Sequence, residues 1–161
     1  MLSRVLLGAA LWAIWPGSVP AQAHPSGGDV AVVGNGGLPV SNLSLHDMRR
    51  LFLGETRYWK GNIPVVLIMP PARTHERDVL LHSVYRMNEA QYKQYWIGRI
   101  LRGEAMNAPK TAESLSSARS LVASLPGGVT LLNAHQANTS KKRKVLKIDG
   151  KSPGEKEYPL R

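Results

Sequence analysis

Changes in the spacing of apolar residues divide the chain into short elements. Val30 to Val33 is an apolar run closed by Gly34-Asn35-Gly36-Gly37, which predicts a short strand and a turn. Ser44 then opens a helix, with Asp47 at the capping-box position and Leu45, Met48, Leu51 and Phe52 on one face. Tyr58-Trp59-Lys60-Gly61-Asn62 reads as a turn carrying two aromatics. Ile63 to Met69 is apolar without alternation, as in a strand buried on both faces. Pro64 limits pairing at its start, and Pro70-Pro71 stops it. Thr74 caps a helix expected to reach Met87, with Leu80, Val84 and Met87 facing the core. Asn88 and Gln91 form a second capping box, and behind it Tyr92, Trp96 and Ile100 repeat every four residues up to Gly103. Thr111 is expected to open a fourth helix with Leu115, Ala118, Val122 and Leu125 on one face. Pro126-Gly127-Gly128 turns the chain into a strand from Val129 to Leu132. A polar loop leads to a last strand, Val145 to Ile148.

Strands alternating with helices predict an α/β domain with a small, mainly parallel sheet of about four strands flanked by helices. The domain is expected over residues 29–150, with a Gly/Pro-rich tail over 151–161. Residues 1–23 read as a cleavable secretory signal. Arg4 precedes a short apolar run, and Ala21-Gln22-Ala23 supplies a small-x-small cleavage site. Residues 24–28 follow as a linker. That reading implies export to the periplasm. No later stretch is apolar enough to cross a membrane.

The chain has no cysteine, which excludes a disulfide framework and thiol chemistry. Its formal net charge is +10, of which the expected leader holds only Arg4. Such a balance favours anionic ligands, anionic surfaces or acidic partners. The basic run Lys141-Lys142-Arg143-Lys144 reads as a solvated loop, and nucleic acid is not expected as a partner.

Several passages carry a resemblance. Leu43 to Gly54, then Tyr58-Trp59-Lys60-Gly61, then Ile63-Pro64-Val65 look like the "helix, Phe-x-Gly, Trp, strand" passage of the phosphate-binding proteins of ABC transporters. Tyr95-Trp96 to Gly103, the turn Leu125-Pro126-Gly127-Gly128-Val129, Lys144 to Gly150 and Tyr158-Pro159-Leu160 resemble later parts of the same family in the same order. The resemblance implies one lobe of a type 2 periplasmic-binding-protein fold. It implies a small oxyanion such as phosphate as ligand, with an ABC permease, a sensor or a second copy as partner. The chain has residues for roughly one lobe, so half of the expected clamp is absent. The family's arginine followed by Ser-Gly-Thr is also absent, and its place reads Pro70-Pro71-Ala72-Arg73-Thr74-His75-Glu76-Arg77.

That segment is the candidate site. It lies where a buried strand hands over to a helix, and ligands of open α/β sheets sit at the carboxyl ends of strands. Arg73, Thr74, His75 and Arg77 are the candidate anion ligands. Arginine forks match the oxygens of phosphate, and a helix start offers free N–H groups. The plainer alternative is that Thr74 only caps the helix while both arginines are solvated. The histidines are too scattered for a metal site, and no cofactor is expected. Serines 114, 116 and 117 lack a nucleophile elbow and no carboxylate pair stands out, so an enzyme is not expected. The competing reading is a lobe that has lost its solute and serves as an interaction module for an envelope partner.

Overall fold

A computed structural model describes residues 28–137 and 140–161. The expected leader, 1–23, and most of the expected linker lie outside the described residues. Among the described residues eight strands and four α-helices follow in chain order: β1 (Val30–Asn35), β2 (Asn42–Leu43), α1 (Leu45–Phe52), β3 (Tyr58–Trp59), β4 (Ile63–Pro64), β5 (Val66–Met69), α2 (His75–Val79), α3 (Glu89–Leu101), β6 (Lys110–Thr111), α4 (Leu115–Ser124), β7 (Gly128–Asn133) and β8 (Arg143–Ile148).

Six strands form one sheet in the order β2-β8-β1-β7-β5-β6. β1 runs antiparallel to both of its neighbours, whereas β2–β8, β5–β7 and β5–β6 are parallel pairs. Five strands therefore point one way and β1 points the other. The fold is mixed α/β, with a sheet larger than the four strands expected. The two additions, β2 and β6, are two-residue strands too short to show a period. β3 and β4 make a separate two-stranded ribbon.

Alternation along β1 explains the layers. Val30 and Val32 face a core with Met48, Phe52, Leu80, Tyr85, Tyr92 and Trp96, while Ala31 and Val33 face a smaller cluster with Ala118 and Val122. α1, α3 and the end of the second helix thus cover one face, and α4 covers the other.

Local chemistry sets the helix starts. Ser44 Oγ accepts from Asp47 N, Thr74 Oγ1 from Arg77 N, and Asn88 closes a complete capping box with Gln91. Two expectations change. α4 starts at Ser114, whose Oγ accepts from Ser117 N, because Lys110-Thr111 is taken up as a strand beside β5. The helix expected over 74–87 is α-helical only to Val79 and π-helical over Leu80–Tyr85, ending at Arg86 in a left-handed conformation with φ 56°. Residues 151–161, expected as a tail, return to the sheet. Tyr158 and Leu160 are buried, and Val30 N donates to Leu160 O at 2.9 Å. That bond falls beside β1 where the β8 register, Val32 opposite Leu146, has run out.

Candidate functional site

The parallel strands end on one edge of the sheet. β5 ends at Met69, and Pro70-Pro71 stops it, so the chain turns outward before α2. Arg73 completes that turn with φ 62°, a left-handed conformation unusual for a residue with a side chain. Its side chain is exposed and pairs with no carboxylate among the described residues. Thr74 is the N-cap. Its hydroxyl donates to Pro71 O at 2.8 Å and accepts from Arg77 N at 3.3 Å. The first amides of the helix keep no intrahelical partner. His75 is half-buried, with Nε2 3.2 Å from Gly28 O.

Arg77 is placed differently from Arg73. It is buried, with Nε donating to Glu89 Oε1 at 2.5 Å, Nη2 to Glu89 Oε2 at 3.0 Å and Nη1 to Pro70 O at 3.1 Å. Its guanidinium also lies over the Tyr92 ring, 5.4 Å from the centroid. The bond from Arg77 holds the Glu89 carboxyl below the usual carboxylate range. Glu89 in turn raises the Arg77 pKa. Burial pushes the nearby Tyr92 and Tyr85 hydroxyls up, so both stay neutral. The two arginines of the segment therefore do not share a task in this geometry. Arg77 ties the start of α2 to α3, and Arg73 alone keeps its guanidinium in water.

The fold adds a residue that the sequence pattern does not reveal. Val30 lies opposite Asn133 in the β1–β7 ladder, which brings Gly28 beside the loop after β7. A side-chain carbon placed on Gly28 would stand 3.9 Å from His135 Nε2. His135 N donates to Asn133 Oδ1 at 3.0 Å, which fixes that loop. His75 and His135 thus approach Gly28 from two strand ends. His135 also lines a cleft of about 540 Å³ with Asp29, Val145, Pro153 and Arg161. Within it Asp29 is paired with Arg161 at 3.2 Å and accepts from Gly154 N. A pairing fixed by strands about a hundred residues apart leaves no local signal.

No family model matches the chain, and no curated protein matches its sequence. Solved structures do match its fold. One is a protein from Clostridium perfringens named as a phosphate ABC transporter substrate-binding protein and solved with bound phosphate. It superposes with a TM-score of 0.60 at 16% identity, over 78% of this chain and 46% of that one. Another is an ABC-type phosphate transport receptor from Vibrio cholerae, with the same score and identity over 78% of this chain and 48% of that one. The chain has the fold of a substrate-binding-protein lobe. It spans about half the length of the structures it matches. No helix among the described residues is long and apolar enough to cross a membrane.

Proposed function

We propose that this chain is a solute-binding-type protein of the periplasm that holds a small oxyanion, phosphate by analogy, where β5 passes into α2. The observation that carries the reading is Arg73. An exposed guanidinium, without a carboxylate partner among the described residues, stands on a left-handed backbone directly before the N-cap, at the strand end where ligands of such sheets bind. Backbone strain of this kind persists where function or surrounding structure demands it. Thr74, the first amides of α2 and His75 complete the seat. Arg77 acts as a positioning residue, because its bonds to Glu89 and Pro70 fix the turn that presents Arg73. The neighbours' names support the ligand class, and the basic balance of the chain favours an anion. Transport with an ABC permease and signalling to a sensor are both compatible with such a lobe.

One lobe covers an anion from one side, so the expected dissociation constant is about 1 mM. At about 10 mM phosphate the stability gain is then about 1.4 kcal/mol, a rise of several degrees in melting temperature. Arg73→Gly and Arg86→Gly separate charge from conformation. Both positions are left-handed, with φ 62° and 56°, and both lose one positive charge. Each glycine variant is expected to fold at least as well as the parent, since glycine escapes a cost of about 1 kcal/mol. Only Arg73→Gly should abolish the phosphate shift. A parent protein with no shift, or an Arg73→Gly protein with a full one, removes the proposal.

A further inference from the structure

The large apolar side chains that the fold leaves in water are not scattered. Among the described residues they are Tyr58, Ile97, Ile100, Leu101 and Met106. Four of them fall at the end of α3 and in the loop behind it, and the fifth sits on β3. Glu104 holds these pieces together. Its carboxylate pairs with Arg99 and Arg102, and its carbonyl accepts from Arg57 Nη2 at 2.9 Å, one residue before Tyr58. Tyr58 and Met106 then border the same groove. Ile97 lies one turn from both Ile100 and Leu101, and Lys93 lies one turn before Ile97, so the outer side of α3 carries one stripe. Met106 is 92% exposed and Leu101 81%, so these two stand out from the surface rather than fill a recess. Exposed apolar side chains gathered in one region mark an interaction surface.

Charge around the stripe selects what meets it. In residues 57–60 and 93–110 the one carboxylate is Glu104, which Arg99 and Arg102 already neutralise. Arg57, Lys60, Lys93 and Lys110 are exposed and make no ion pair among the described residues. A second copy of this chain, equally basic, would meet like charge there. A rigid acidic protein would need a socket for each protruding side chain, whereas fluid acyl chains close around them without one. Lysine and arginine stems reach from an apolar layer to headgroup phosphates, and an amphipathic tyrosine ring suits the same boundary. We infer that the end of α3, the loop to Met106 and β3 seat this protein on an anionic lipid bilayer. Leu101 and Met106 enter the boundary between headgroups and acyl chains, and the four free cations face the phosphates. None of these residues belongs to the oxyanion seat.

Sedimentation of the purified protein with vesicles tests this, using phosphatidylcholine alone and phosphatidylcholine with about one-third phosphatidylglycerol. Binding is expected to be at least about tenfold tighter on the anionic vesicles and to weaken as salt rises. Leu101→Ser and Met106→Ser alter exposed side chains, so both should fold, and the double variant should bind at least about tenfold more weakly than the parent. The chain has no cysteine, so it also accepts a single fluorescent label. An environment-sensitive dye on Met106→Cys should shift to the blue on anionic vesicles. The same dye on Ser120→Cys, exposed on α4 across the sheet, should not. A double variant that binds as the parent does would reduce the effect to net charge and overturn the inference. So would vesicle binding without preference for the anionic lipid, absence of binding, or equal shifts from the two labels. A Met106→Cys dye that is shielded without vesicles as protein concentration rises would assign the face to a second copy and overturn it too. Loss of the phosphate shift in Arg73→Gly has no bearing on these outcomes, so the two proposals fail separately.

Discussion

The guanidinium of Arg77 exchanges water for two oxygens of Glu89, the carbonyl of Pro70 and the face of Tyr92. Its side chain is 6% exposed, whereas that of Glu89 is 44% exposed. The asymmetry decides what breaking the pair costs. Removing Glu89 strands a desolvated cation, while removing Arg77 leaves a carboxylate that water can reach. Arg77→Met should therefore cost about 2 kcal/mol, less than the loss of one member of a fully buried pair. The pair also links stability to pH. Glu89 has a folded-state pKa below its ordinary value, chiefly through the bond from Arg77. The unfolded chain then binds more protons in acid, so the stabilisation is complete above the ordinary carboxylate range and is lost as pH falls through the folded value. Denaturant titrations from about pH 7 to about pH 3 should show parent stability falling at the acid end, with a shallower fall in Glu89→Gln. Parallel pH profiles for the two proteins would mean that the pair contributes no linkage.

The β3–β4 ribbon runs directly into β5 and packs on the turn before β7. Trp59 Nε1 donates to Gly127 O at 2.9 Å, and Gly127 itself has φ +78°. A Cβ there would stand 1.9 Å from Pro64 O, so backbone meets backbone with no side chain free to yield. Gly127→Ala should cost about 3 kcal/mol, from the clash and the left-handed conformation together. Melting with tryptophan fluorescence as the probe checks it, and a variant as stable as the parent would show that the ribbon can shift at no cost. This turn was readable in the chain because Pro126-Gly127-Gly128 is a local signal, as were the caps at Ser44, Thr74 and Asn88. Other features were not readable because their causes are distant. Ser114 displaces Thr111 as the fourth helix cap only once Lys110-Thr111 finds β5. Tyr158 and Leu160 look like tail residues until Val30 needs a partner. In the candidate site the position of Thr74 was legible, but the fate of Arg77 was not. Its partner Glu89 lies beyond a π-helical segment whose extra residue per turn no apolar period announces, and His135 arrives only through the β1–β7 register.

The matched structures are about twice as long as the part of them that this chain covers, and one of them was solved with phosphate. The anion site proposed at the Arg73 turn can be tested for closure by solvent alone against closure by a second copy. The first leaves mass and size unchanged on binding, whereas the second doubles the mass. Formal charge argues for the first. Two strongly basic chains repel at every distance within a Debye length, about 10 Å at ordinary ionic strength, and one shared oxyanion offsets little of that. Light scattering at about 10 mM phosphate should therefore give the monomer mass. Small-angle scattering should give a radius of gyration near about 14 Å with and without the anion. The same titration carries the opposite outcome in a form that cannot be confused with failure to bind. A mass that doubles with phosphate in the parent and stays single in Arg73→Gly would show that a second copy closes over the anion, with the Arg73 turn at the seam.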